Sequence, residues 1–228
     1  MSRNLFVTAT GTEIGKTYVA GLIAKTLQEA GLKAAYYKAA MSGSQRRPDG
    51  TLIPGDALFV KEFAHLSQSL ESMCPYVYEH AVSPHLASRL EGNPVSMEVV
   101  EKTFQKVSRE YDYVVVEGSG GITCPLGYDE EHIQLEDVVR RLGLPSVMVA
   151  DAGLGTINGV VLTCEYMKQR NLPLKGIIFN NFHAGDVMEE DNRRMCEEMT
   201  GLPVLACVAR GDRALPGLEA EKLAALFD

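Results

Sequence analysis

Residues Phe6-Val7-Thr8-Ala9-Thr10-Gly11-Thr12-Glu13-Ile14-Gly15-Lys16-Thr17 run from a strand-like segment, through a glycine-bearing turn, into the start of an amphipathic helix. Glycines let backbone N–H groups turn toward a phosphate, and the following helix adds its N-terminal donors and positive dipole end. In such a loop Lys16 would neutralise the β- and γ-phosphates and the Thr17 hydroxyl would ligate Mg²⁺. The match to the written pattern is imperfect, because Thr10 stands five residues before Gly15 and the nearby glycine is Gly11. The strand and helix on either side are what decide for phosphate binding over a plain glycine turn with an exposed lysine.

Outward from this loop, strand-like runs recur at Leu5 to Thr8, Ala34 to Lys38, Tyr113 to Glu117, Ser146 to Ala150, Gly176 to Asn180 and Val204 to Val208. Most are apolar on both alternating faces, as in parallel strands covered by helices on each side. Helical patterns lie between them. In Thr156 to Met167, the residues Ile157, Val160, Val161, Cys164 and Met167 share one face, and Val100, Phe104 and Val107 do so after a candidate N-cap at Ser96. The expectation is an α/β fold, a parallel β-sheet flanked by helices, in a single domain over residues 1–228. Met41 to Pro54, with Gly43, Pro48, Gly50 and Pro54, reads as a loop at a strand end, where such sheets keep their sites.

The 228 residues carry 22 basic and 30 acidic side chains, for a net charge of −8, which argues against a broad electrostatic grip on nucleic acid or anionic lipid. No apolar run approaches the roughly 20 residues that span a bilayer, and the N-terminus has no signal-peptide core. The five cysteines (Cys74, Cys124, Cys164, Cys196 and Cys207) form no Cys-x-x-Cys pair. A cytoplasmic protein without a disulfide framework is expected, with neither nucleic acid nor membrane as partner.

Four further positions suit a phosphoryl site. Glu117 ends a buried strand before Gly118-Ser119-Gly120-Gly121 and could hold Mg²⁺, the alternative being a solvated carboxylate beside a tight turn. Asp56, after Gly55, reads first as a helix N-cap and second as a metal ligand. Lys38 ends the second strand on the loop's side of the sheet, where an ammonium would stabilise phosphoryl-transfer charge; a snorkelling surface lysine weighs equally. Asn180-Asn181-Phe182-His183 lacks the Asp of the guanine-reading Asn-Lys-x-Asp pattern, which favours ATP over GTP. Asn180 could pair with adenine or merely form a turn.

Taken in order, several motifs resemble the dethiobiotin synthetase family. They are Thr12-Glu13-Ile14-Gly15-Lys16-Thr17, Tyr37-Lys38 with Ser42-Gly43-Ser44, Gly55-Asp56-Ala57-Leu58, Val82-Ser83-Pro84-His85, Val116-Glu117-Gly118-Ser119-Gly120-Gly121, Gly153 to Asn158, and Asn180. The resemblance, which runs from about residue 3 to about residue 208, implies a P-loop NTPase-like fold. It also implies ATP-dependent ring closure of 7,8-diaminopelargonate with CO₂ (or bicarbonate) to dethiobiotin, ADP and phosphate, in biotin biosynthesis. Lys16, Lys38 and Thr12 would then be catalytic. Nucleotide contacts would come from Glu13, Ile14, Gly15, Lys16, Thr17, Tyr18, Asp56, Glu117, Gly118, Ser119, Gly120, Asn180 and Asn181. Thr17, Asp56 and Glu117 would be the Mg²⁺ shell. Ser42, Leu154, Gly155 and Asn158 would bind substrate, the latter three across a homodimer interface.

This chain departs from the family pattern in places. Ala9 stands for a first loop glycine, Ser119 for an alanine, and Leu205-Ala206-Cys207-Val208-Ala209-Arg210 lacks the Gly-x-Ile-Pro of relatives. Partition and division-site ATPases share the fold but place a second lysine early in the loop, where Thr10, Gly11 and Thr12 stand here. His85 reads as a helix-start residue, His132 and His183 as structural, Cys124 as a packed thiol, and Glu189-Glu190-Asp191 with Arg193-Arg194 as an exposed helix face.

Overall fold

A computed structural model describes residues 2–129 and 131–228. Each expected run becomes a strand: β1 (Arg3–Ala9), β2 (Ala34–Lys38), β3 (Tyr113–Glu117), β4 (Ser146–Asp151), β5 (Leu174–Asn180) and β6 (Val204–Val208). They form one sheet in the order β6-β5-β4-β1-β3-β2, parallel at every pairing. The labelled helices are α1 (Lys16–Glu29), α2 (Gly55–Phe63), α3 (Pro84–Leu90), α4 (Met97–Glu110), α5 (Leu135–Leu142), α6 (Thr156–Gln169), α7 (Val187–Thr200) and α8 (Ala220–Ala224).

Two-sided burial explains the unbroken apolar strands. Leu5, Val7, Tyr36 and Val115 face α1, α2 and α8, while Phe6, Tyr37, Val114 and Val116 face α4 and α5. On the other half of the sheet Met148, Ala150 and Phe179 pack under α6 and α7. The chain builds β2 and β3 to one side of β1, then crosses over it to β4, so the order reverses at β1. Parallel α/β sheets open a crevice at such a reversal, outside the carboxyl ends of the strands. Among the described residues no helix is long and apolar enough to cross a membrane.

Two local expectations change. Met41 to Pro54 is not wholly loop, since Gln45–Arg46 and Leu52–Ile53 pair as a small antiparallel ribbon around the Asp49-Gly50 turn. Glu189 is buried rather than exposed: its carboxylate accepts from the His183 backbone N–H at 2.5 Å and pairs with His183 Nδ1 at 2.9 Å, closing the turn before α7. Within the rest of that run Arg194 does pair on the surface, 2.6 Å from Asp191.

Candidate active site

The strand ends and the phosphate loop converge because β1 is the neighbour of β3, and β3 of β2. In that register Lys38 sits directly opposite Glu117, and both are buried, which rules out an exposed lysine and a solvated glutamate. Glu117 is 1% exposed, and its Oε1 accepts from Lys38 Nζ at 2.9 Å and from the Thr17 hydroxyl at 2.8 Å. Lys38 Nζ also donates to Asp56 Oδ2 at 2.6 Å. Burial by itself lowers the Lys38 pKa, but the Glu117 and Asp56 carboxylates outweigh it and hold the ammonium well above its ordinary range. Asp56 is not the N-cap of α2: that position is Pro54, and Asp56 lies in the first turn with its carboxylate turned to Lys38.

Gly15 takes φ +91° as the N-cap of α1, a left-handed conformation open to glycine. A Cβ there would stand 2.1 Å from Asn180 Nδ2, which instead donates to the Ile14 carbonyl at 2.9 Å. Asn180 at the end of β5 is thus more than a turn residue; it ties the phosphate loop to the sheet. Lys16 folds back over the loop to the Gly11 carbonyl at 2.9 Å. Its pKa is lowered chiefly by burial, with Glu117 opposing and Lys38 adding to the fall.

The second turn closes the floor. Gly118 has no room for a side chain, since a Cβ would meet Leu135 and Phe6 at 2.8 Å. The Ser119 hydroxyl donates to the Ala40 carbonyl at 2.7 Å and fastens the turn to the chain beyond β2.

A cleft of about 750 Å³ results. It gathers Thr12, Glu13, Gly15, Lys16, Thr17, Lys38, Ser42, Asp56, Glu117, Ser119 and Gly120, all singled out in the sequence. It also exposes Met41, Gly43, Ala81, Val82, Ser83, Pro84 and Cys124, to which no role was given. Ser83 and Pro84 begin α3 and lay its amino end on the cleft rim, with His85 one residue into the helix as expected. Burial pushes the Cys124 thiol up, as for a packed neutral thiol.

Other expected contacts lie outside this cleft. Ile14 and Gly118 support its walls. The Tyr18 ring packs against Phe59 and Phe63, and its hydroxyl donates to the Asp212 carbonyl. Asn181 donates to Asp151 Oδ1 at 2.8 Å, stitching β5 to β4. Leu154, Gly155 and Asn158 border a separate, largely apolar concavity of about 450 Å³ between α6 and α7, with Leu154 92% exposed. Asn192 Nδ2 donates to the Ala152 and Gly153 carbonyls and holds that loop in place.

Comparison with known proteins matches this geometry to relatives. A family model described as an AAA domain matches residues 3–213. The ATP-dependent dethiobiotin synthetase of Brachyspira hyodysenteriae is 49% identical over 212 residues, covering 92% of this chain and 94% of that protein. That of Clostridium botulinum strain Langeland is 42% identical over 228 residues, covering 100% and 99%. The chain belongs to the ATP-dependent dethiobiotin synthetase family.

Solved structures agree on the fold. The MinC:MinD cell division complex of Aquifex aeolicus superposes with TM-score 0.58 at 12% identity, over 99% of this chain and 94% of that one. A ParA family ATPase from Chlorobium tepidum TLS gives 0.56 at 15%, over 100% and 99%. At such identities the likeness is of fold alone, a P-loop NTPase sheet. Within the dethiobiotin synthetase family frame, Tyr36 is the site-side residue that sequence reading passed over. Its signal was periodicity: two residues before Lys38, it shares that residue's face of β2.

Proposed function

We propose that the cleft performs ATP-dependent ring closure of 7,8-diaminopelargonate with CO₂, giving dethiobiotin, ADP and phosphate. Membership of the family makes the chain an ATP-dependent enzyme of dethiobiotin formation in biotin biosynthesis; the steps and residue roles are inferred. One substrate amine takes up CO₂ and releases a proton to become a carbamate. A carbamate oxygen attacks the γ-phosphorus, and ADP leaves. The second amine then attacks the carbamoyl carbon, the C–O bond to phosphate breaks, and the ureido ring closes with loss of a proton.

The observation that carries this reading is the ammonium of Lys38, held between two carboxylates at 2.6 and 2.9 Å, in the cleft that the phosphate loop opens into. Bringing a carbamate to a triphosphate juxtaposes like charges, so the enzyme's chief work is alignment and preorganised screening. Lys16 and Lys38 supply fixed positive charge, and Thr12 and Ser42 on facing walls orient the reacting groups. Nucleotide contacts fall to Glu13, Ile14, Gly15, Thr17, Gly118, Ser119 and Gly120, with Asn180 at the adenine and Tyr18 and Asn181 supporting.

Mg²⁺ fits the donor set. Thr17 Oγ1 and Glu117 Oε1, 2.8 Å apart, and the nearby Asp56 are the hard oxygens it prefers. Among the described residues no group of three or more His, Cys, Asp or Glu could hold a metal ion, so the proposed shell needs oxygens from the nucleotide phosphates. Bound there, Mg²⁺ would supply charge neutralisation across the phosphates.

Leu154, Gly155 and Asn158 open α6, whose N–H groups suit a substrate carboxylate in the cleft of a partner copy; a homodimer is the assembly proposed. The whole chain is read as one domain. Five free cysteines suit a reducing cytoplasm. The test is ADP release from Mg²⁺-ATP and bicarbonate, with and without the diamine. Diamine-dependent ADP matched by a ring-closed product in the mass spectrum is expected; hydrolysis indifferent to the diamine would point instead to a nucleotide-switched binder.

A further inference from the structure

Glu117 has two oxygens, and the chain treats them differently. Oε1 takes the Thr17 hydroxyl and the Lys38 ammonium, while Oε2 takes the Tyr36 hydroxyl at 2.8 Å. Tyr36 is 0% exposed, its ring packed in the core beneath α1 and α2. Its backbone is clamped as well. Gln68 accepts from the Tyr36 N–H at 2.8 Å and donates to its carbonyl at 3.0 Å, pairing the open edge of β2 as a neighbouring strand would. Strand register, core packing and a side-chain clamp all hold one phenol against one carboxylate oxygen.

We infer that Tyr36 is the positioning residue of the metal site: it fixes Glu117 through Oε2 so that Oε1 faces Thr17 and the cation. The reason lies in what the other donors must do. On the reading of Thr17 and Lys38 given above, with metal and nucleotide bound the Thr17 hydroxyl would serve the cation and the Lys38 ammonium the phosphates. Both Oε1 donors would then be released. Tyr36 lies below the cleft and is not among the residues lining it, so its bond survives ligand binding and keeps the carboxylate from swinging. A buried carboxylate oxygen left without its donor would both lose orientation and carry an unmet acceptor.

This inference rests on the proposed metal shell, and the experiment separates the two. Dissociation constants for a non-hydrolysable ATP analogue, which carries the third phosphate, are measured by calorimetry in EDTA and in saturating Mg²⁺ for wild type, Tyr36→Phe, Glu117→Gln and the double variant. Wild type gains affinity with Mg²⁺. Tyr36→Phe stays within about twofold of wild type in EDTA but loses about tenfold of the Mg²⁺-dependent gain, the scale of one hydrogen bond to a charged group. In the Glu117→Gln background the same change costs nothing further. A Tyr36→Phe enzyme with the full gain overturns the positioning role and leaves the metal shell standing. Equal weakening in EDTA and Mg²⁺ makes Tyr36 a packing residue and also overturns it. No gain in wild type overturns the metal shell and this inference together. Should Tyr36→Phe not fold, Tyr36→Leu, which also lacks a donor, must show the same selective loss.

Discussion

On the proposed mechanism Lys38 serves stability and chemistry together, through ion pairs at 2.6 and 2.9 Å. Breaking a buried ion pair by removing one partner costs about 3 kcal/mol or more, because the other charge is left unmet. Lys38→Met should therefore melt well below wild type, with Glu117 stranded at 1% exposure, and Mg²⁺-ADP should restore part of the loss by bringing a cation. Turnover should fall on the order of 100-fold, as for loss of one preorganised charge, while ADP affinity changes only a few fold. The pH dependence follows from the raised pKa. A lysine whose folded pKa exceeds its unfolded value contributes fully below the unfolded value and loses that contribution only as pH rises through the folded one. The stability gap between Lys38→Met and wild type should thus be flat from about pH 7 to about pH 9. A gap that closes within that range in urea titrations would show that the ammonium is not what Glu117 depends on.

At the scale of elements, the phosphate loop and the end of β5 are one unit. Gly15 must be left-handed for the loop to turn into α1, and its missing side chain is the space that the Asn180 carboxamide uses to reach Ile14. Gly15→Ala meets both a positive-φ penalty and a 2.1 Å clash, and should destabilise the protein by about 2 kcal/mol or more. Its ADP affinity should drop at least about tenfold, since the loop N–H groups are re-aimed. Gly15→Ala with Asn180→Ala removes the clash but not the backbone strain, so it should recover only part of the stability. Thermal melts and ADP titrations decide; affinity within about twofold of wild type in Gly15→Ala would mean that the loop yields to a methyl group.

Across the whole molecule, the two concavities lie on different elements, one at the ends of β1, β2 and β3, the other between α6 and α7. Leu154, Leu162 and Met199 stand exposed around the second, the apolar surface that the proposed dimer would cover. Leu162→Asp should convert a dimer to monomers in sedimentation and raise the KM for the diamine at least about tenfold, the effect of a charge at the centre of an apolar contact. Its ADP affinity should be unchanged, because every residue proposed to touch the nucleotide lies away from this surface. A wild type that sediments as a monomer would remove the dimer from the mechanism.

The sequence alone determined the alternation of strands and helices, the phosphate loop and the ordered motifs, because local spacing encodes them: period two for strands, glycine where backbone must turn, Lys-Thr at a helix start. It brought Lys38 and Glu117 to the phosphate loop for a similar reason, since parallel strands deliver their carboxyl ends to one edge; the resemblance, not local spacing, supplied Thr12, Ser42 and Ser119. Only the tertiary structure decided the burial and the partners of Lys38, Glu117, Asp56 and Asn180, and the existence of the Tyr36 and Gln68 supports. Each of these depends on which strand lies beside which and in what register, and on burial. Pairing β2 with β3 turns a lysine that local sequence leaves equally able to face solvent into a buried cation. Periodicity places Tyr36 on the same face of β2 as Lys38, but its contact with Glu117, 81 residues away, depends on β2 lying beside β3.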